Sequence, residues 1–363
     1  MKATSLRTCL FWTHLVTGLT VGIIIAVLSL TGMVLAFRAE ILSYTEAHLR
    51  TVPSTEVTAQ PLAISAILDH VHHVYPQQKI QSVMIKQDPQ ATIVVTLEKP
   101  IGVRYVHPYT GLILGGNSAG AVFLKQVEGL HRWLGLQEGP LKPVGHHIKG
   151  ISTMVLMFLL LSGLYLWWPF KTLRLKTASL TPATYWNWHT ALGFWFAPVL
   201  LVITITGIII SYTWANNLLY LMTGSPVPPS KKERPAHDST FPETIDRLVS
   251  TSKNKTSDWV SLTLRPSEDG KPVKVMIEMP APGDIKAYSQ LTLDPQSGQT
   301  LKWEPVESQS LGRKARTWAR YLHTGEAGGL VGKALAFVAS GVGVMLVITG
   351  FLLSWKRFSR KGN

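Results

Sequence analysis

The chain has 363 residues, of which 46% are hydrophobic and only 15% charged, with a net charge of +14 and one cysteine. That length allows two or three domains, while so many apolar residues and so little charge are unusual for a soluble protein. Cys9 standing alone excludes an intrachain disulfide and any zinc or iron–sulfur centre built from cysteines.

The first predicted element is an apolar helix over 11–37. Lys2 and Arg7 precede it as in a signal peptide, but the run is too long and lacks a small-residue cleavage site, so a retained anchor is expected. Similar runs follow at 147–168, 188–212 and 330–355, each near or above the roughly 20 residues that cross about 30 Å of hydrocarbon. Between the first two runs, Leu62, Ile64, Ile67, Leu68 and Val71 predict a helix within 61–75. Strands are predicted at 80–86, 91–97, 103–106 and 112–114, the last two joined by the turn His107-Pro108-Tyr109-Thr110-Gly111. Between the last two runs the plan repeats. A proline- and lysine-rich linker at 226–235 leads to a helix at 241–250 and strands at 260–264, 273–278 and 288–293. The turn Asp294-Pro295-Gln296-Ser297-Gly298 follows.

The expected fold class is mainly α: a four-transmembrane-helix bundle with two exported α+β domains, internally duplicated. Its parts are 1–38 (N-terminus and first span), 39–145 (first exported domain and the segment after it), 146–168 (second span) and 169–187 (loop). Then come 188–213 (third span), 214–329 (second exported domain and the segment after it), 330–355 (fourth span) and 356–363 (tail). Spans one and three carry His14-x-x-x-Gly18 and His189-x-x-x-Gly193 and end in Thr31-Gly32 and Thr206-Gly207. Spans two and four follow His131 and His323 and end in Ser162-Gly163 and Thr349-Gly350. Repeats of this kind in membrane proteins often build a site where they meet.

The positive charge is placed as a membrane protein places it, not as a nucleic-acid binder would. Lys2 and Arg7, then Lys171, Arg174 and Lys176, then Lys356, Arg357, Arg360 and Lys361 lie in segments free of acidic residues. Both termini and the short loop are therefore expected on the cytoplasmic side. Arg132, Lys142, Lys149, Arg313, Lys314, Arg316, Arg320 and Lys333 lie near the other surface, where bound anionic groups would account for them.

The histidines carry the chemistry. An imidazole inside a span is costly unless it is paired or ligating, and His14 and His189 sit at matching depth in repeated spans. Gly18 and Gly22 past His14, with Gly193 and Ala197 past His189, allow close helix packing or room for a flat macrocycle. Two helices that each present one imidazole suit bis-histidine haem. At the other surface, at least two of His131, His323, His146 and His147 can ligate a second haem, with the basic residues there available to its propionates. His70, His72 and His73 are expected on the polar side of an amphipathic helix. No nucleotide fingerprint, hydrolase elbow or zinc-protease motif is present, so electrons would have to come from a quinol or a separate reductase.

The runs Leu130-His131-Arg132-Trp133-Leu134-Gly135 and Leu161-Ser162-Gly163-Leu164-Tyr165-Leu166-Trp167-Trp168-Pro169 resemble the PepSY-associated transmembrane family. So do Trp188-His189-x-x-x-Gly193 and Leu322-His323-Thr324-Gly325 with Gly350 downstream. The segments holding Tyr109-Thr110-Gly111 and Asp294-Pro295-Gln296-Ser297-Gly298 resemble PepSY domains. The resemblance implies a bacterial inner-membrane protein with periplasmic domains, and among relatives of this plan a dihaem ferric-siderophore reductase. By position it implies His14, His131, His189 and His323 as ligands of two haems b, whereas His146 and His147 fall where many relatives carry another residue and stay alternates on the residues alone, as Arg132, Lys149, Arg316 and Arg320 stay propionate or substrate contacts. It implies a ferric siderophore or other ferric chelate as substrate and a cytoplasmic reductase or quinol as donor. Here the first motif reads Trp12-Thr13-His14-Leu15 in place of the family's commoner His-Arg-Trp form. Two other readings of the same residues are a non-enzymatic module binding a periplasmic partner and a metal- or proton-coupled transporter.

Overall fold

The computed structural model describes residues 5–57, 60–175, 181–229, 240–268, 270–281 and 285–359. Lys2, Lys176, Arg360, Lys361 and residues 230–235 of the expected linker lie outside the described residues. In chain order the elements begin with α1 (Leu6–Ala36), α2 (Arg38–Thr45), α3 (Ala47–Arg50) and α4 (Ile64–Val74). Strands β1 (Ile80–Lys86), β2 (Ile93–Leu97), β3 (Val103–Val106) and β4 (Ile113–Gly116) follow. Next are the helices α5 (Ala119–Trp133), α6 (Lys142–Trp167), α7 (Pro182–Ser211), α8 (Thr213–Met222) and α9 (Ile245–Lys255). Strands β5 (Ser261–Leu264), β6 (Val273–Met279), β7 (Ala287–Leu293) and β8 (Thr300–Glu304) precede α10 (Leu311–Thr324) and α11 (Gly329–Ser359). These elements form two compact units.

One unit takes the chain through Arg38, then Phe123–Val227, then Leu311 onward. Its four long helices, α1, α6, α7 and α11, are each long and apolar enough to cross a membrane. They outrun the apolar stretches because capped polar turns extend them. Ser5 accepts from the Thr8 N–H at the start of α1, and Thr181 does the same for Thr184 ahead of Pro182 in α7. α1 packs against α6 and α11, and α7 against the same two, so the four close into a ring. Small residues bring the helices together: a Cβ on Gly22 would meet Phe351 and one on Gly343 would meet Ser29, while Ala191, Ala197 and Ala339 are buried. Lipid gives apolar side chains no reason to prefer a neighbouring helix, so close backbone approach does much of the holding. The helices α5 and α10, not predicted as separate elements, precede α6 and α11, and α10 packs on α7 and α8.

The other unit combines Ala39–Val122 with Pro228–Ser310. Here the sequence expectation of two separate domains is corrected. The eight strands form one antiparallel sheet in the order β4-β3-β2-β1-β5-β6-β7-β8, joined through β1 and β5 with Val83 opposite Leu264 and Ile85 opposite Leu262. One core serves both segments, with Ile67, Val71, Val83 and Val95 from the first packed in the same cluster as Leu248, Leu262, Val275 and Leu291 from the second. α4 and α9 pack together, and Asp246 of α9 caps α4. Its carboxylate accepts from the N–H groups of Ile64 (2.6 Å) and Ser65 (3.2 Å) and from the Ser65 hydroxyl (2.5 Å), which the cap residue Ala63 could not do.

Both predicted turns share one construction. Gly111 and Gly298 adopt positive φ (74° and 71°), and each donates its N–H to the carbonyl of the residue that opens the turn, His107 or Asp294, at 3.0 Å. His107 Nδ1 and Asp294 Oδ1 each accept the backbone N–H groups of the residues two and three positions on, so His107 is a turn residue.

Candidate functional site

Two histidine pairs occupy different levels of the bundle. His14 of α1 faces His189 of α7 with ring centres 6.4 Å apart and planes at 83°. His131, in the last turn of α5, faces His323, in the last turn of α10, with centres 6.3 Å apart and planes at 57°. Two imidazoles on opposite sides of one metal ion, bound at about 2 Å with each ring centre about 1.1 Å behind its nitrogen, have centres about 6.2 Å apart. Both pairs have that spacing. Among the described residues no three histidine, cysteine, aspartate or glutamate side chains converge, so each site offers two protein ligands.

Each ring is oriented from behind. His14 Nδ1 lies 2.8 Å from Ser162 Oγ, His189 Nδ1 3.0 Å from Thr349 Oγ1 and His131 Nδ1 2.8 Å from Thr31 Oγ1. A hydroxyl has a single proton, and each of these three has a backbone carbonyl to take it. Thr31 gives it to Val27 at 2.7 Å and Thr349 to Met345 at 2.7 Å, and the Leu159 carbonyl lies 3.3 Å from Ser162. The two threonine oxygens must then accept from their histidines, while Ser162, nearer to His14 than to its carbonyl, serves either tautomer. His323 Nδ1 donates to the Ile203 carbonyl at 2.8 Å, with Thr206 Oγ1 at 3.5 Å. His131, His189 and His323 therefore carry their proton on Nδ1 and keep the Nε2 lone pair bare, the form in which imidazole binds a metal. Burial, with the His323 ring and the Lys149 cation beside it, pushes His131 down to about 3, and burial lowers His323 too, so both rings at that level are neutral.

The glycine after each hydroxyl residue clears the same ring. A Cβ would stand from the imidazole Cε1 at 3.4 Å on Gly163 (His14), 3.5 Å on Gly350 (His189), 3.7 Å on Gly32 (His131) and 3.0 Å on Gly207 (His323). The Ser/Thr-Gly pairs are visible in the sequence as repeats, but their function is not, because each partner histidine lies 100 or more residues away. A hydroxyl residue followed by glycine, 17 residues after the histidine in α1 and α7 and near the end of α6 and α11, is the signal that could have found them.

His14 and His189 line a cavity of about 790 Å³ enclosed by α1, α6, α7 and α11. That lies within the roughly 300–1,000 Å³ of small-molecule and cofactor sites. Gly18, Gly22, Gly163, Gly193 and Gly350 all line it, and Trp167 stacks on Phe194 in its wall at 3.9 Å between ring centres. Thr31 follows His14, and Thr206 follows His189, by 17 residues on one helix. At 1.5 Å per residue, about 25 Å of helix separates the two levels.

The other site candidates divide. Lys149 is buried, donates to Ser211 Oγ at 2.6 Å, and is the cation whose charge acts on both His131 and His323. Arg132 is exposed, paired with Glu128 at 2.8 Å and set over Trp133. Arg316 lies beside Tyr220 and Arg320, and Arg320 over Tyr321. His146 and His147 fall inside α6 rather than at its start, next to each other and, for His146, against Tyr212 at 5.9 Å. The structure brings neither to a histidine pair. His70, His72 and His73 are exposed on α4, opposite buried Ile67, Leu68 and Val71.

No curated protein matches this sequence. The family description "PepSY-associated TM region" matches residues 11–357, from the second turn of α1 almost to the end of α11. With four apolar membrane helices and that match across nearly its whole length, the chain is a multi-pass membrane protein and belongs to the PepSY-associated transmembrane family.

Proposed function

We propose that this protein is a dihaem electron conduit that reduces a ferric chelate, such as a ferric siderophore, on the periplasmic face of a bacterial inner membrane. The observation that carries the reading is the treatment of four histidines alike. Each is held at Nδ1 from behind, and the four form two pairs at axial-ligand spacing. His14 with His189, and His131 with His323, would each hold one haem b, within a duplicated chain whose termini face the cytoplasm.

When bound, haem supplies an iron that takes and passes single electrons. The protein's residues do the rest. The hydroxyls of Ser162, Thr31 and Thr349 and the Ile203 carbonyl fix ring orientation, and the flanking glycines leave the rings room. The spans surround the His14–His189 level with mostly apolar side chains, and Lys149 places positive charge beside the other pair, where propionates or an anionic chelate would meet it. One electron delivered by a quinol or a cytoplasmic reductase would reduce one Fe(III) to Fe(II), which hard oxygen chelators hold poorly.

The test is a visible spectrum of purified, haem-supplied protein, oxidised and dithionite-reduced, with haem counted per chain. Expected are sharp α and β bands on reduction, about two haems, and reoxidation by a ferric chelate. A flat spectrum from folded protein refutes the haem reading. Reduced haem that no ferric chelate reoxidises refutes the reductase reading.

A further inference from the structure

The cavity around His14 and His189 has an asymmetric lining. Toward the middle of the bundle it is walled by Gly18, Gly22, Ile25, Leu160, Leu200 and Gly343. At its other end the wall contains two arginines, Arg7 and Arg357, and the lining holds no aspartate or glutamate. Arg7 precedes His14 by seven residues on α1, two turns along the same helix face. Arg357 follows Gly350, whose face meets His189, by the same interval on α11. Both guanidinium groups are held by aromatic faces. Arg7 lies over Phe170 at 5.1 Å and donates to the Leu166 carbonyl at 3.3 Å, and Arg357 lies over Phe11 and Trp12 at 4.9 and 5.1 Å. Among the described residues neither forms an ion pair.

We infer that Arg7 and Arg357 form a dicarboxylate anchor at the cavity's end, taking the two propionates of the haem held by His14 and His189 and fixing which edge of the ring faces the bundle interior. The inference rests on the haem reading above. It places carboxylate recognition at a level where the sequence suggests none, since the sequence candidates for that role all lie near the other pair. An apolar pocket that ends in two cations on one wall fits a ligand that is apolar along one edge and doubly anionic along the other. Charge-assisted pairing to guanidinium is the strong form of that contact. The bland alternative is two surface arginines that meet lipid phosphates.

The test is a binding cycle in the H131A/H323A background, which leaves one haem site. Haem b and its dimethyl ester, in which both carboxylates are capped, are titrated into apo-protein and into its R7Q/R357Q variant, and midpoint potentials are read for each. Expected is a preference of about tenfold or more for haem b over the ester in the parent, lost in the variant, with the variant's potential for haem b shifted downward. General damage to the fold weakens both ligands alike and leaves the ratio unchanged, so the ratio reads the contact itself. An equal preference in parent and variant, or none in the parent, overturns the inference and leaves the arginines to lipid. If the parent binds neither ligand, the haem reading fails first, a separate and distinguishable result.

Discussion

The two threonines behind the His131–His323 pair should differ sharply in importance although they occupy matching positions. Thr31 Oγ1 accepts the His131 Nδ1 proton at 2.8 Å. Thr206 Oγ1 stands 3.5 Å from His323 Nδ1, which donates instead to the Ile203 carbonyl at 2.8 Å. Thr31→Val keeps the shape of the side chain and removes the nearer acceptor, leaving the N–H with the Leu28 carbonyl alone at a cost of about 0.5–1.5 kcal/mol. If that N–H must stay in place for Nε2 to ligate, the same cost appears as a loss of up to roughly tenfold in cofactor affinity. Thr206→Val removes only a contact at the limit of hydrogen bonding, so its loss should stay within about threefold. The assay is haem titration into apo-protein in an H14A/H189A background, with midpoint potential as a second readout and Thr31→Ser as the variant that restores binding. Equal losses for T31V and T206V, or a neutral T31V, would refute the idea that tautomer control runs through the shorter bond.

The glycines predict a similar contrast: Gly207→Ala, with its Cβ 3.0 Å from His323, should lower haem toward one per chain, whereas Gly32→Ala at 3.7 Å should retain both, as a pyridine haemochrome assay would show. Asp246→Ala should destabilise the sheet unit by about 1–2 kcal/mol through loss of the α4 cap, with Asp246→Asn keeping part of it, measured by denaturant unfolding of the full chain in detergent. Glu46 is 3% exposed. Burial pushes its carboxyl up, but bonds from Arg50, Tyr105 and Ser118 outweigh burial and hold it below the usual range. Its contribution to stability should therefore be complete above the unfolded value of about 4.3 and be lost as pH falls through the folded value. A pH series of thermal unfolding should show that acid slope flattened in Glu46→Gln.

Legibility in the sequence followed the range of the forces involved. The four spans were readable because membrane thickness imposes a length and an apolarity that few soluble helices reach. The histidine positions were readable because an imidazole is conspicuous in such a run, and His14 and His189 stand at equal depth. β1, β3 and the strand at β7 followed from alternation, whereas β8 did not: Thr300–Glu304 is an edge strand with three exposed positions and no apolar alternation to betray it. Helix α10 was missed because arginines and a lysine dominate it, and its few buried residues, Gly312, Ala319 and Tyr321, do not all line up at helical spacing. The pairing of β1 with β5 left no local mark, because it joins segments about 180 residues apart through main-chain bonds that any sequence can make.

That pairing also bears on how the protein is made. When the first half of the sheet has been synthesised, β1 is a bare edge, and its natural neighbour β5 lies beyond two further membrane helices that have yet to be inserted. The α4 cap waits for Asp246 as well. The nascent segment must therefore be kept from other strand edges until the third span has turned the chain back, so correct insertion of α6 and α7 is a precondition for closing the sheet, and a chain truncated after α7 would be left with an adhesive, half-built layer.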